Sequence, residues 1–239
     1  MLFAGCKTDA QNYSVFNFAY TKVLVDDIKH IVSTVALHLD VADVADVATI
    51  QVQDFSDVQA IFFEIYSPDN INDCIELIKR IRLFNQSACI FILVTHSKAF
   101  SSINCYIAGA DHCLKLPTDA SEKLRLLTRM LHESHWKSPT QLYLDRTRLL
   151  LCSTTKKLEI SYTEMTIIDA LIHAPEHVMS QDSIAKTLDP NIVFYDPRAL
   201  EKTISRLRTK IKKTFGLELI LSVRAFGYRL RRATVKVLI

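Results

Sequence analysis

The stretch DPRALEKTISRLRTKIKKTFG, residues 196–216, carries the clearest helix signal in the sequence. Asp196 is a typical N-cap, Pro197 fits the first helical position, and no helix breaker follows before Gly216. At about 100° per residue, the apolar side chains of this stretch fall on one stripe. They are Leu200, Ile204, Leu207 and Ile211. The pattern predicts a long helix that packs on a core through a single face.

The opposite face of this predicted helix is basic. From Arg198 to Lys213 the sequence has seven cations and a single anion, Glu201. A solvated helix face normally mixes both signs of charge. Cations together with Ser and Thr suit the phosphates and base edges of the DNA major groove. The side chains that we expect to contact DNA on this face are Arg198, Lys202, Ser205, Arg206, Thr209, Lys212 and Lys213.

Shorter patterns predict the rest of the C-terminal half. Ser161, with Glu164 three residues later, forms a capping box that begins a helix ending before Pro175. A second helix covers about Gln181 to Leu188. The predicted strands are Gln141 to Leu144, Arg148 to Cys152, Lys157 to Ile160, Leu219 to Val223 and Gly227 to Leu230.

The last two strands predict a hairpin with Arg224 at its tip. Arg229, Arg231 and Arg232 follow further along, so the hairpin offers arginines to a neighbouring minor groove. A basic helix followed by such a hairpin is a winged helix-turn-helix arrangement.

The stretch Arg198 to Ile211, followed by ILSVRAFGYRL at residues 220–230, resembles the C-terminal effector domain of OmpR/PhoB-type response regulators. The resemblance covers Leu142 to Leu230 and implies binding to double-stranded promoter DNA. It implies that the loop Asp189 to Asp196 touches RNA polymerase, as in some members. Ala225 stands where the family usually has Gly, so we expect the wing turn to differ in detail. The DNA contacts that the resemblance implies are Arg198, Lys202, Thr203, Ser205, Arg206, Thr209 and Arg224.

In the N-terminal half, short apolar strands alternate with amphipathic helices, which predicts an α/β, doubly wound, flavodoxin-like parallel sheet of five strands. The strand-like runs are Leu2 to Cys6, Lys22 to Val25, Ala60 to Ile65, Ile90 to Thr95 and Cys113 to Leu116. We expect this domain to span residues 1–134, a linker residues 135–140, and the winged helix residues 141–239.

The N-terminal half resembles a receiver domain through two segments, Gln59 to Asp69 and Gly109 to Pro117. Three departures from that family fall in one pocket. The phospho-accepting Asp is Glu64, whose carboxylate lies one methylene further from the backbone. The Lys that pairs with the phosphoryl group is Leu116, and the switch aromatic is Cys113. Thr95 keeps the family's Ser/Thr, yet this degenerate pocket argues against phosphoryl transfer.

The acidic metal-binding loop of a receiver follows its first strand, and two registers of that strand are open. If the strand is Leu2 to Cys6, only Asp9 is available. If it is Lys22 to Val25, Asp26 and Asp27 form a pair. We favour the first register because receivers usually begin near the chain start.

Active receivers pair through a face formed by their fourth helix, fifth strand and fifth helix, which carries complementary charges in the family. That region here contains Ile103, Ile107, His112, Leu126 and Thr128. We therefore expect a constitutive homodimer held largely by apolar contacts.

The charge distribution agrees with two domains that have different partners. Of the 239 residues, the first 137 carry 12 basic and 16 acidic side chains, a net charge of −4, and the remainder 17 and 10, a net charge of +7. No apolar run spans a bilayer, and the box LFAGC at residues 2–6 lacks a basic, long apolar leader, so we expect a cytoplasmic protein.

The sequence contains no recognisable set of catalytic residues. The run from His173 to His177 matches an inverted metalloprotease motif, but Pro175 interrupts the helix that metal ligation requires. The six cysteines include no C-x-x-C pair. We expect no metal, no cofactor and no catalysis.

The sequence therefore predicts an atypical, phosphorylation-independent transcription regulator. Two alternatives remain: a conventional response regulator phosphorylated at a non-standard acceptor, and a regulator whose N-terminal domain senses a ligand or protein partner.

Overall fold

The computed structural model describes residues 14–33, 55–96, 98–134, 136 and 141–238. The N-terminal half alternates strands with helices along the chain. Its elements are β1 (Val15–Phe18), α1 (Lys22–Ser33), β2 (Ala60–Ile65), α2 (Ile71–Phe84), β3 (Cys89–Val94), α3 (Ile103–Ala108), β4 (His112–Lys115) and α4 (Ala120–Glu133).

These strands form a parallel sheet in the order β1-β2-β3-β4. All six residues of β2 and of β3 are buried, as expected where helices cover both faces of a parallel sheet. One core packs α2 and α3 against the sheet, and the other packs α1 and α4. The predicted doubly wound α/β class is confirmed. Among the described residues the sheet has four strands, whereas five were predicted.

The first strand is Val15–Phe18, which neither predicted register contains. The run Leu2 to Cys6 lies outside the described residues. The assignment of Lys22 to Val25 as a strand is wrong, because these residues form the first turn of α1. Leu24, Val25, Ile28, Ile31 and Val32 are buried at helical spacing, so the apolar stripe of a helix outweighs the short β-branched run.

The C-terminal half has a second core around three helices. Its strands are β5 (Leu142–Asp145), β6 (Leu150–Cys152), β7 (Lys157–Glu159), β8 (Val178–Ser180), β9 (Ile220–Val223), β10 (Gly227–Leu230) and β11 (Val235–Val237). Its helices are α5 (Tyr162–His173), α6 (Gln181–Leu188) and α7 (Pro197–Phe215), with a 3₁₀ turn at Pro175–His177. One sheet has the order β11-β5-β6-β7, and the other the order β8-β10-β9.

The helix signals of this half are confirmed. Ser161 and Glu164 form both hydrogen bonds of a capping box at the start of α5. The Asp196 side chain accepts from the Arg198 N–H, and Gly216 ends α7 in a left-handed conformation. The stripe of α7 is buried as predicted, whereas the short strands β8 and β11 went unpredicted.

A buried charge cluster joins the two halves. Asp111, just before β4, accepts from Arg82 of α2 at 2.7 Å and pairs with Arg232, beyond β10, at 3.3 Å. Arg232 also pairs with Glu176 of the 3₁₀ turn at 2.7 Å. Each of the two arginine side chains is less than a tenth exposed: 2% for Arg82 and 7% for Arg232.

Two further arginines of the C-terminal half face the N-terminal half. The Arg229 guanidinium lies 4.9 Å from the centre of the Tyr106 ring on α3, and Arg231 donates to the Glu133 carbonyl at 3.1 Å. His112 lies close to both arginines and stacks on Phe91 at 5.0 Å. The expectation that the cations beyond the hairpin serve DNA is therefore corrected: Arg229, Arg231 and Arg232 contact the N-terminal half.

This contact predicts acid sensitivity. Burial, with the nearby Arg229 and Arg231, lowers the pKa of His112 to about 3, although Asp111 opposes the shift. The folded protein keeps His112 neutral, while the unfolded chain takes up a proton below about pH 6.5. Stability is therefore complete above that pH and falls as the pH drops toward 3, by up to about 1.4 kcal/mol per pH unit.

Urea unfolding of wild type and His112→Gln between pH 7 and 5 tests this expectation. The variant should show the shallower loss of unfolding free energy. His132→Gln on α4, where the side chain is exposed, is the control and should follow the wild-type curve. Identical slopes for His112→Gln and wild type contradict the assignment.

Candidate nucleic-acid interface and receiver pocket

The polar face of α7 points to solvent. Burial of Leu200, Ile204, Leu207 and Ile211 against the core fixes this orientation. Thr203 is half-buried, and its hydroxyl donates to the Ala199 carbonyl. The exposed members of the predicted set on this helix are Arg198, Lys202, Ser205, Arg206, Thr209, Lys212 and Lys213.

Three of the seven cations of α7 make hydrogen bonds or ion pairs within the C-terminal half. Arg208 donates to the Ile220 carbonyl at 2.7 Å and lies 5.3 Å from the Tyr228 ring centre. Lys210 pairs with Glu164 at 2.7 Å, and Lys212 with Glu218 at 2.8 Å. Within the described residues, no carboxylate pairs with the other four, Arg198, Lys202, Arg206 and Lys213. These four form the available positive surface of the helix.

The wing lies at the turn between β9 and β10. Arg224 is exposed there, and Ala225 adopts a φ of 58°. This left-handed conformation favours Gly, the residue that the family usually has at this position. An Ala is strained there because its Cβ crowds the backbone. Gly227 lies directly against the Met179 backbone of β8, which leaves no room for a Cβ.

The loop between α6 and α7 exposes two large apolar side chains. Val193 is 82% exposed and Phe194 92%. Its ends are fixed, because the Asp189 carboxylate accepts from the Asn191 N–H and the Tyr195 hydroxyl donates to Asp182 at 2.7 Å. The loop thus presents an apolar tip on a defined base.

In the receiver-like half, the Glu64 carboxylate is fully buried at the end of β2 and satisfied by four donors. Oε2 accepts from the backbone N–H groups of Tyr20 and Thr21, each at 2.8 Å. Oε1 accepts from the hydroxyls of Thr21 at 2.5 Å and Thr95 at 2.8 Å. The two N–H groups lie just before α1, where backbone donors and the helix dipole favour an anion.

Leu116 and Cys113, which the sequence also places in the predicted pocket, lie on opposite faces of the sheet. Leu116 is buried in the core beneath α1 and α4, and Cys113 packs against the core on the other side of the sheet. Lys115 is exposed and donates to the Lys98 carbonyl. Of these five side chains, Glu64 and Thr95 are joined by a hydrogen bond of 2.8 Å.

The acidic residues of the second register lie elsewhere. Asp26 is exposed on α1, and Asp27 pairs with Lys123 of α4 at 2.6 Å. Asp9 lies outside the described residues. Within the part of the chain that is described, no group of three or more His, Cys, Asp or Glu side chains is placed to hold a metal ion.

The predicted dimer face is divided. Ile107 is 48% exposed, and Ile103, Leu126 and Thr128 are half-buried. His112 is covered by the stacking and arginine contacts described above.

The side chains of the motif from His173 to His177 have other partners: His173 contacts Asp169, and Glu176 pairs with Arg232.

Comparison with known proteins agrees with these features. Residues 155–230 match the family model described as "Transcriptional regulatory protein, C terminal". Over 161 residues the chain is 25% identical to the transcriptional regulatory protein PhoP of Escherichia coli K12, covering 65% of this chain and 72% of PhoP. The chain is therefore similar to transcriptional regulatory proteins, and its match to the family model lies in residues 155–230. The virulence transcriptional regulatory protein PhoP of Salmonella typhimurium is 26% identical over 163 residues, with the same coverage.

Two solved structures are similar to part or most of the chain. The C-terminal domain of the nisin resistance regulator NsrR, a lantibiotic response regulator, is 37% identical over 34% of this chain and 82% of its own, with a TM-score of 0.30. The response regulator DrrB of Thermotoga maritima, an OmpR/PhoB homolog, is 15% identical over 92% of this chain and 99% of its own, with a TM-score of 0.41. Among the described residues, no helix has the length and apolar character to cross a membrane.

The Glu64 cluster predicts a specific stability effect. Glu64→Gln keeps the shape of the side chain but replaces one acceptor oxygen by an NH₂ group that faces donors. Leaving buried donors unsatisfied costs about 1–3 kcal/mol. We expect urea unfolding to show a loss of that size for Glu64→Gln, with little change for Glu122→Gln, which is exposed on α4. A stability equal to wild type would show that these hydrogen bonds do not form.

Proposed function

We propose that this protein is a response regulator that binds promoter DNA as a homodimer and works without phosphorylation of its receiver-like half. The observation that carries this proposal is the Glu64 carboxylate, which fills the acceptor position and is satisfied by backbone and hydroxyl donors. Because its proposed ligand is promoter DNA, we propose the cytoplasm as its place of work.

Phosphorylation independence is supported by what surrounds Glu64. A phosphoryl group placed there would have to displace the two hydrogen bonds of the oxygen to which it is attached. Within the described residues, no cation pairs with Glu64, and the family's Lys position is taken by the buried Leu116. Both oxygens of Glu64 are thus occupied by hydrogen-bond donors, which supports the proposal that this side chain does not accept a phosphoryl group.

DNA recognition is assigned to the free face of α7 and to the wing. We propose that Arg198, Lys202, Ser205, Arg206 and Thr209 enter the major groove, where Arg and Lys read guanine edges and phosphates. Thr203, Lys212 and Lys213 complete the helix contacts, and Arg224 reaches the neighbouring minor groove. Lys212 contributes less than Lys213, because Glu218 already pairs with it.

Homodimerisation is assigned to the apolar face that includes Ile103, Ile107 and Leu126, with His112 at its edge. Two copies bound side by side would occupy half-sites about one helical turn apart. The exposed Val193 and Phe194 in the loop from Asp189 to Asp196 support a contact with RNA polymerase, because a large exposed apolar tip suits a protein partner.

The proposed DNA contacts divide into a base contact by Arg206 and a phosphate contact by Lys213. Arg206→Ala should weaken binding to the operator about 10- to 100-fold while changing binding to random duplex much less, since a base contact contributes about 1–3 kcal/mol. Lys213→Ala should weaken both equally and reduce the slope of log affinity against log salt by about one.

Fluorescence anisotropy with a selected operator and a random duplex measures both effects. Arg148→Ala removes one cation from an exposed turn far along the sequence from α7 and is the matched control. Equal losses on both duplexes for Arg206→Ala would contradict its assignment to base recognition.

The phosphorylation assignment has a direct chemical test. Incubation of the full chain with acetyl phosphate and Mg²⁺, followed by intact mass measurement, should show no added phosphoryl group. An added group mapped to any Asp or Glu would instead establish the conventional mechanism through a non-standard acceptor.

A further inference from the structure

We propose that Cys105 and Cys113 form a reversible disulfide when hydrogen peroxide reaches the receiver-like half. The bond ties α3 to β4, so the redox state of the pair decides how α3 is held. This inference goes beyond the proposed function, because it gives the receiver-like half an oxidant as its chemical input and does not depend on the homodimer or on DNA. The pair is separate from the Glu64 carboxylate, whose donors are Tyr20, Thr21 and Thr95.

The fold brings the two thiols together across the turn between α3 and β4. Cys105 is fully buried in α3, and Cys113 is half-buried in β4. The Ala110 N–H donates to the Cys105 carbonyl at 2.9 Å, which closes the turn. Both side chains then pack on the same side of the sheet, in the core that holds α2 and α3, and their thiols hydrogen-bond to each other. A molecule as small as hydrogen peroxide reaches the pair from the half-exposed side of Cys113.

The contact between the thiols makes Cys105 the reactive member of the pair. The hydrogen bond lowers the pKa of Cys105, although burial opposes the shift, and it raises the pKa of Cys113 together with burial. The Cys113 S–H therefore donates to a Cys105 thiolate, which is the form of cysteine that reacts with peroxides. Two other thiols of this half stay protonated, because burial raises the pKa of Cys74 to about 12 and the pKa of Cys89 well above its usual range.

Oxidation of the pair consumes one molecule of hydrogen peroxide. The Cys105 thiolate attacks a peroxide oxygen, the O–O bond breaks, and Cys105 becomes a sulfenic acid while hydroxide leaves. The hydroxide takes the proton of the Cys113 thiol, after which the Cys113 sulfur attacks the Cys105 sulfur and the S–O bond breaks. The departing hydroxide takes a proton from solvent. Two thiols and one hydrogen peroxide thus give one disulfide and two water molecules, and a thiol reductant reverses the oxidation.

The disulfide joins a short helix to a well-held strand. The helix α3 has six residues, its N-cap Ser102 makes no side-chain cap hydrogen bond, and Gly109 ends it with a φ of 112°. The strand β4 is paired with β3 at four positions. A helix this short has little stability of its own, so closing the two sulfurs to about 2 Å shifts α3 rather than β4. In the cytoplasm that we propose, a disulfide of this kind is transient and senses oxidants.

The test treats the full-length chain with hydrogen peroxide and follows one tryptic peptide. Trypsin releases Ala99 to Lys115 as a single peptide that contains both cysteines of the pair and no other. After removal of the peroxide and alkylation with N-ethylmaleimide in denaturant, we expect the wild-type peptide to be two hydrogens lighter and to carry no label. Dithiothreitol before alkylation should restore both labels. Cys152→Ser, which removes a half-buried thiol of β6, is the matched control and should behave as wild type.

Cys113→Ala removes the hydrogen-bond donor of the Cys105 thiolate. In this variant Cys105 should lose its reactivity toward maleimide several-fold more slowly during peroxide treatment than in wild type. The wild-type measurement needs no substitution, so the test holds if a variant does not fold. Two labels on the wild-type peptide under conditions that oxidise free cysteine overturn the proposal. A peptide that carries added oxygen without the internal bond, or that is linked to another cysteine peptide such as the one with Cys74, overturns it as well.

Discussion

A carboxylate buried at the end of a strand must find donors, and the receiver-like half is organised around that requirement at Glu64. Two backbone N–H groups before α1 and the hydroxyls of Thr21 and Thr95 satisfy it. These bonds join Glu64, near the end of β2, to the segments that follow β1 and β3, at the carboxyl end of the sheet. In the receiver family, this end is where an acidic loop, an acceptor Asp and a Lys assemble for phosphoryl transfer. Here the same end of the sheet carries a hydrogen-bond network around Glu64, and on this ground we propose that the fold of a signalling domain is kept without its phosphoryl-transfer chemistry.

The basic side chains of the C-terminal half lie on surfaces with different roles. The net charge of +7 on the C-terminal half divides into three uses. Some cations stabilise the winged helix itself, such as Lys210 on Glu164, and others, led by Arg232, hold the acidic N-terminal half. The remaining exposed cations on α7 and at the wing are the ones that we propose contact DNA. Opposite net charges on the two halves thus serve an internal contact as well as a nucleic-acid partner.

The sequence predicted the C-terminal half well because its signals are local. A capping box, an N-cap followed by Pro and an apolar stripe each depend on neighbours within a few residues, and all three occur where they were predicted. The strand β1 was missed because it has only four residues, VFNF, and buries the polar Asn17, whose side chain accepts from the Ala19 N–H. The sequence showed Leu116 and Glu64 in place of the family's Lys and acceptor Asp. It did not show which groups donate hydrogen bonds to the Glu64 carboxylate. The contact between Asp111 and Arg232 joins residues 121 positions apart, and no local pattern reports such a pair.

We propose that Glu64, rather than a phosphoryl group, fixes the loop between β1 and α1. Amide hydrogen exchange of Tyr20 and Thr21 in the full chain, with and without acetyl phosphate and Mg²⁺, tests it most directly. We expect strong protection of both amides, unchanged by the phosphoryl donor and lost in Glu64→Ala. Fast exchange in wild type, or protection that changes when acetyl phosphate and Mg²⁺ are added, would contradict it.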